Sequence, residues 1–231
     1  MPYAIRNTMN FLEVIANKLR NITTREEERG EYSGGYWPAR VREEAIKLCL
    51  EAKGALLEVG CGEGMFIAGL AVKNPGLSIS GIDNWKDIVL KAQDRIRRLG
   101  IANVLASWGA AEKLPFSDNT FDFAVCINTL FNLSSLNDVE RTLRELSRVT
   151  KPKGKVIIDI RNSLNPLVLL KYGLARYYDS TLKVPVRAYS LAKINSLLQT
   201  ADLRIEKKVA IGCASWLVPP IILIQARKCE S

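Results

Sequence analysis

Apolar residues along the chain fall into two alternating patterns: short unbroken runs, and longer stretches with helical spacing. Short apolar runs without a polar face are typical of strands buried on both sides of a sheet. Apolar residues that recur every three to four positions indicate amphipathic helices. We predict strands near residues 55–59, 77–82, 103–107, 121–127 and 154–160, and helices near 39–52, 64–73, 86–99, 137–149 and 189–200.

This alternation predicts an α/β fold, a doubly wound and mostly parallel sheet with helices on both faces. Two further strands are expected near 203–211 and 219–227 without an intervening helix. We expect them to form an antiparallel hairpin at one edge, which makes a seven-stranded sheet. The length of 231 residues and a hydrophobic content of 48% are compatible with a single domain spanning 1–231.

Two apolar stretches need a separate interpretation. Near the N-terminus, apolar residues have helical spacing and are interrupted by Glu13, so we predict an amphipathic helix and not a signal peptide. The stretch from Val209 to Ala226 carries no charge, but Pro219 and Pro220 lie in its middle. Proline favours two strands joined by a bend, so we expect no membrane span.

Two residue types narrow the chemistry. The five cysteines contain no Cys-x-x-Cys pair, and three of them lie in apolar runs, which suggests a reducing, cytoplasmic location. The chain has no histidine at all. This excludes a histidine-dependent zinc site, a Ser-His-Asp triad and a histidine base, and we assign no metal.

Three glycines at alternate positions, Gly60, Gly62 and Gly64, follow the first predicted strand. Glycine allows a sharp turn and lets backbone N–H groups approach a ligand, while the next helix points its N-terminus at the same place. We therefore predict a site for a nucleotide-type cofactor. A dinucleotide fingerprint places its third glycine three residues after the second, whereas here the spacing is two, which favours a cofactor without a diphosphate.

The glycine run is part of a motif that resembles the first motif of the class I S-adenosylmethionine-dependent methyltransferases. It reads Glu58-Val59-Gly60-Cys61-Gly62-Glu63-Gly64. Four later segments resemble further motifs of the family in the same order: residues 77–83, 109–116, 121–128 and 146–158. The resemblance covers about half of the chain and implies a Rossmann-like sheet. It also implies S-adenosyl-L-methionine as cofactor and S-adenosyl-L-homocysteine as product.

The resemblance implies specific cofactor contacts. The three glycines line the methionine and ribose portions, Glu58 helps to place the loop and the amino group, and Asp83 accepts hydrogen bonds from both ribose hydroxyls. The alternative for Asp83 is a helix N-cap. The other expected contacts are Cys61, Asn84, Trp85, Ala110, Ala111, Glu112, Cys126, Asn128, Tyr36 and Arg40. Cys126 lies in an apolar run, so we favour its interpretation as a core residue over that as a nucleophile.

Ala110 is a departure from the family, whose members often have an acidic residue there that binds the adenine amino group. The loss of one neutral hydrogen bond, worth about 0.5–1.5 kcal/mol, predicts weaker cofactor binding. The backbone N–H of Ala111 remains available to the adenine ring. Glu112 either helps or serves as a first-turn helix residue.

An N-terminal segment, residues 1–54, is expected to supply helices and a lid over the cofactor-binding core, residues 55–160. In this lid Tyr36 would close over the cofactor and Arg40 would lie near its carboxylate. The alternative is a packed loop, Glu31 to Pro38, ahead of the helix.

Methyl transfer needs few side chains, because the cofactor already activates the methyl group and the enzyme mainly aligns the acceptor. An oxygen nucleophile would need a base. The candidates are Asp159, Tyr177, Tyr178, Asp179 and Tyr189, each with a structural alternative such as pairing of Asp159 with Arg161.

The charge is uneven. Residues 161–231 carry 11 basic and 4 acidic residues, a net charge of +7, against +2 for residues 1–160. Residues 161–188 resemble a substrate cap inserted before the C-terminal part, residues 189–231. We favour a small, anionic or amphipathic acceptor. An RNA or protein methyltransferase that uses the basic face and a non-catalytic cofactor-binding subunit are the alternatives.

Overall fold

The computed structural model describes residues 35–170, 187–212 and 218–230. These residues build a single sheet flanked by helices. The strands are β1 (Ala55–Val59), β2 (Ser78–Asp83), β3 (Val104–Trp108), β4 (Phe121–Cys126), β5 (Thr150–Arg161), β6 (Leu203–Ile211) and β7 (Ile221–Lys228). The main helices are α1 (Tyr36–Cys49), α2 (Met65–Lys73), α3 (Lys86–Arg98), α4 (Leu136–Val149) and α5 (Leu191–Thr200), and a 3-10 turn spans Leu130–Asn132.

The strand order is β3-β2-β1-β4-β5-β7-β6. Strands β1 to β5 pair in parallel, while β7 is antiparallel to both β5 and β6. The predicted fold class and the antiparallel C-terminal hairpin are therefore confirmed. The order reverses between β1 and β4, and ligands of such sheets bind beyond the carboxyl ends of the strands at this point.

Helices cover both faces because neighbouring residues of each buried strand point in opposite directions. In β1, Leu56 belongs to the cluster under α1, α2 and α3, and the adjacent Leu57 belongs to the cluster under α4 and α5. Both side chains are fully buried. This double use explains why the central strand β1 has no polar face.

The structure corrects two boundaries. Helix α1 begins at Tyr36 and ends at Cys49, so Tyr36, Trp37 and Pro38 are helical and not part of a loop. Proline is tolerated there because N–H groups of the first turn have no intrahelical partner. Strand β5 begins at Thr150 and not near 154, because a bulge against β4 lets the extra residues join the strand.

The predicted N-terminal helix, the loop residues 31–34 and most of the predicted cap, residues 171–186, lie outside the described residues. Within the described ranges, each helix is too short or too polar to cross a membrane. The uncharged stretch from Val209 contributes the end of β6 and much of β7, as predicted.

Candidate cofactor and acceptor site

The loop after β1 is attached to the end of β2 by backbone hydrogen bonds. The N–H groups of Gly60 and Cys61 both donate to the carbonyl oxygen of Ile82, at 2.7 and 3.0 Å. Gly60 has a φ of +81°, and a Cβ at this position would lie 2.0 Å from Oγ1 of Thr129. The position thus requires glycine for its conformation and for the close approach of the turn after β4.

Asp83 connects this loop to the start of α3. One carboxylate oxygen accepts the N–H of Gly62 at 2.9 Å, and the other accepts the N–H of Trp85 at 3.0 Å. Burial raises the pKa of Asp83, and these backbone donors oppose the rise. Each carboxylate oxygen keeps a further lone pair, so the group can still accept hydrogen bonds from a vicinal diol. The N-cap of α3 is Trp85, which leaves Asp83 outside the cap position.

Gly64 is the N-cap of α2 and has a φ of +77°. A Cβ on this residue would approach Ala92 of α3 to 3.1 Å. The space beside its α-carbon is therefore occupied by a neighbouring helix. Close packing against α3 therefore explains why this position is glycine, independently of the predicted contact with the cofactor.

Glu58 is buried at the carboxyl end of β1, and its Oε2 has no hydrogen-bond partner among the described residues. Burial raises the pKa of Glu58 well above its usual value; attraction by Arg42 opposes the rise and repulsion by Asp83 adds to it. An acceptor without a donor in a buried place costs about 1–3 kcal/mol. This oxygen suits a ligand that brings a donor, such as an ammonium group.

Arg42 was missed in the sequence. It is 7% exposed and belongs to the buried side of α1, together with Val41 and Ala45. A basic residue on the apolar stripe of a helix was the available signal, because such a charge needs a buried partner.

Tyr36 and Arg40 lie on the other side of α1. They line a groove of about 460 Å³ between α1 and the end of β6, residues 209–212. Arg40 pairs with Glu43 at 3.1 Å, and Tyr36 is 53% exposed. The structure thus places these two residues beside the edge strand β6, and their contact with the cofactor stays a prediction.

The segment that resembles the family's third motif, residues 109–116, lies next to Asp83 at the end of β2. Gly109 donates its N–H to the carbonyl oxygen of Asp83 at 3.0 Å, and the following Ala110 is exposed, with Ala111 and Glu112 half-buried. Exposure of Ala110 leaves space for the acidic side chain that the family often has there.

Trp108 is a second residue that the sequence analysis missed. Its indole N–H donates to the carbonyl oxygen of Asn84 at 3.0 Å, and the ammonium of Lys86 lies 4.8 Å from its ring centroid. The ring is 58% exposed. An exposed tryptophan at the carboxyl end of a strand, directly before a motif, was the signal that could have identified it.

A buried ion pair lies at the carboxyl ends of β4 and β5. Arg161 donates to Asp159 at 2.6 Å and to the side-chain oxygen of Asn128 at 2.9 Å, and its guanidinium stacks 4.2 Å from the ring centroid of Phe131. The other carboxylate oxygen of Asp159 accepts the N–H of Asn128. Asn128 itself is in the left-handed region, with a φ of +55°.

This network bears on the candidate bases. Asp159 is fully buried, and both of its oxygens already accept hydrogen bonds, so the geometry favours the structural alternative. Tyr177, Tyr178 and Asp179 lie outside the described residues. Tyr189 is buried, and its hydroxyl has no hydrogen-bond partner within the described residues.

The cysteines of the site face the core. Cys61 and Cys126 are buried, and burial raises the pKa of both thiols well above the usual value. Burial likewise raises the pKa of Cys49 to about 12. These thiols are protonated at neutral pH, which favours packing over nucleophilic chemistry. Cys61 contributes to the site through its backbone.

Comparison with known proteins agrees with this geometry. Residues 57–158 match the model of a methyltransferase domain. The chain is 33% identical over 102 residues to a demethylmenaquinone methyltransferase from Bacillus cytotoxicus. The aligned region covers 44% of this chain and 42% of that protein. The chain spans about half the length of the curated relatives it matches.

Solved structures show the same fold. The YcgJ protein from Bacillus subtilis superimposes with a TM-score of 0.67 at 21% identity and covers 84% of this chain and 100% of that one. A SAM-dependent methyltransferase from Methanosarcina mazei gives 0.66 at 21% identity, with 81% and 98% covered. These matches show that the chain has the fold of these methyltransferases and that residues 57–158 resemble a methyltransferase domain.

Proposed function

We propose that this protein binds S-adenosylmethionine at the carboxyl ends of β1, β2 and β3 and transfers its methyl group to a small-molecule acceptor. The observation that carries the proposal is the pair of carboxylates around the glycine loop, of which Glu58 is buried and Asp83 half-buried. Asp83 retains lone pairs for a diol, and the unpartnered oxygen of Glu58 is suited to an amino group. Both groups match the polar ends of this cofactor.

When bound, the cofactor supplies an activated methyl group, and its transfer leaves S-adenosylhomocysteine. The residues of this chain need only hold the donor in line with the acceptor and exclude water. Such alignment supplies about 7–11 kcal/mol in favourable cases. The backbone bonds of the loop to Ile82 and Asp83 hold the glycine turn rigid, which suits this role.

Two observations support a small acceptor. Two relatives, of which this chain matches about half the length, are named demethylmenaquinone methyltransferases. The carboxyl ends of β4 and β5 carry the buried pair of Arg161 with Asp159 and the ring of Phe131, a polar and aromatic group that suits a small molecule. We expect the acceptor to be anionic or amphipathic, in keeping with the net charge of +7 over residues 161–231.

Calorimetric titration with S-adenosylmethionine and S-adenosylhomocysteine tests the cofactor step. We expect binding in the wild type and a loss of tenfold or more in Asp83→Asn, because the amide presents a donor to one hydroxyl. Asp94→Asn is the matched control, since Asp94 pairs with Arg98 on the exposed side of α3. Equal affinities in the two variants would contradict the assignment of Asp83.

The acceptor class is tested by release of S-adenosylhomocysteine with panels of small molecules, RNA and protein. An RNA acceptor would show binding that weakens steeply with salt, because phosphate contacts release counterions. Turnover of RNA or protein alone would replace the small-molecule proposal. Cofactor binding without turnover of any acceptor would support the non-catalytic alternative.

A further inference from the structure

A short extended segment, residues 187–189, lies beside the buried ion pair. The N–H of Tyr189 donates to the carbonyl oxygen of Arg161 at 2.8 Å, and the N–H of Arg187 donates to that of Phe131 at 3.0 Å. The segment therefore fills the space between the end of β5 and the turn after β4. This is the edge of the sheet at which the acceptor must approach the donor.

The segment presents two buried donors. Tyr189 is 8% exposed, and its hydroxyl makes no hydrogen bond to any described residue. Nε of Arg187 is also buried without a partner among them, while its Nη2 donates to the carbonyl oxygen of Ser134 at 2.7 Å. Side chains two apart in an extended segment point to the same side. Two unsatisfied donors on one side are costly unless a ligand or water accepts them.

The charges around these donors are unevenly matched. Attraction by Arg187 and repulsion by Asp138 both act on the pKa of Tyr189, which burial raises, so both charges lie near the phenol. Asp138 already pairs with Arg141 at 2.6 Å, and Arg161 pairs with Asp159. Among the described residues Arg187 makes no ion pair, so its positive charge is the one left without a carboxylate partner there. An anion would complete both the charge and the hydrogen bonds.

We infer that Arg187 and Tyr189 form an oxyanion-binding subsite that holds a carboxylate, phenolate or enolate oxygen of the acceptor. This inference rests on the proposed function, because it assigns the polar end of that acceptor. The guanidinium Nε–H and the phenolic O–H would both donate to the acceptor's oxygen. Neutral analogues without such an oxygen would leave both donors unsatisfied and bind less well.

The test uses 4-nitrophenolate as the oxyanion and 4-nitroanisole as its neutral counterpart, with and without S-adenosylhomocysteine. At pH 8.5 we expect the wild type to bind the anion at least tenfold more tightly than the anisole. Tyr189→Phe and Arg187→Met should each weaken anion binding about tenfold and leave the affinity for the anisole and for S-adenosylhomocysteine within twofold. Arg187→Lys should restore part of the loss, because it keeps the charge.

The matched control is Arg144→Met, whose side chain is exposed and pairs with Glu140 on α4. Unfolding by urea shows whether the variants fold, and Tyr189→Phe should be at least as stable as the wild type because it removes an unsatisfied hydroxyl. Equal binding of anion and anisole, or unchanged anion binding in Tyr189→Phe and Arg187→Met, would overturn the inference. Absence of S-adenosylhomocysteine binding would instead overturn the proposed function, and the titrations without it would still decide the subsite.

Discussion

The two halves of the site are built in different ways. Around β1 and β2, backbone N–H groups form most of the contacts that hold the site, because Gly60, Cys61 and Gly62 donate hydrogen bonds to the end of β2. Around β4 and β5, side chains form these contacts, because Arg161 bonds to Asp159 and Asn128 and stacks on Phe131. Backbone geometry tolerates few changes in its glycines, whereas side-chain networks can vary with the acceptor. The comparison suggests that one half is built for a constant ligand and the other for a variable one.

Loss of the buried ion pair is expected to have the largest effect on stability. Arg161→Met leaves the charge of Asp159 buried without its partner, which costs about 3–5 kcal/mol. Urea unfolding measures the change. Arg98→Met is the control, because its pair with Asp94 is exposed and should contribute less than about 1 kcal/mol. Similar losses in both variants would show that the acceptor half does not depend on this network.

The glycine loop should be the next most sensitive. Gly60→Ala places a side chain at a φ of +81° and 2.0 Å from Thr129, so we expect a loss of about 2–4 kcal/mol in unfolding free energy. The second change Thr129→Ala should restore part of it by removing the two nearest atoms. Gly76→Ala is the control, since a Cβ there meets nothing within 4 Å. A tolerated Gly60→Ala would remove the contrast between the two halves.

Glu58 makes the cofactor half sensitive to pH. Because burial raises its folded pKa, protonated Glu58 favours the folded state below about pH 4.5, and this contribution is lost as the pH rises through the folded pKa. Glu58→Gln lacks this dependence. Without cofactor it should match the wild type near pH 4 and exceed it by about 1 kcal/mol at pH 8.

Urea unfolding at both pH values measures this difference. Glu43→Gln, on the more exposed side of α1, serves as the control. If Glu58→Gln were less stable than the wild type at pH 8, the carboxylate would be satisfied in the free protein. The proposed contact with an amino group would then lose its support.

A change at Ala110 in the cofactor half of the site is expected to have the smallest effect. Ala110→Asp introduces the acid that the family often has, at a position that is exposed and has room for it. We expect cofactor binding to improve by about 0.5–1.5 kcal/mol, from one added hydrogen bond. Calorimetry with S-adenosylhomocysteine measures it, and Ala110→Asn separates the charge from the hydrogen bond. Unchanged binding in Ala110→Asp would mean that the adenine is held differently from the family pattern.

The central strands were predictable because each contains a short apolar run, and Leu56 and Leu57 show why both faces of β1 had to be covered. The start of α1 was not, since Tyr36 to Pro38 resemble a loop in sequence and only Gly35 and the packing of the helix set its first turn. Arg42 was overlooked because Glu58, the buried carboxylate that its charge attracts, is 16 residues away and is identified only in three dimensions.

By itself, the sequence determined the doubly wound sheet, the glycine turn and the acid that ends β2, because these depend on periodicity and on residues close together in the chain. Only the tertiary structure showed that the pair of Arg161 with Asp159 is buried and bonded to Asn128, and that Nε of Arg187 and the hydroxyl of Tyr189 are buried without a partner among the described residues. The contact of Arg161 with Asn128 joins residues 33 positions apart, and the contact of Arg187 with Ser134 joins residues 53 positions apart. Local patterns do not record such contacts, since they form only when the strands meet at one edge of the sheet.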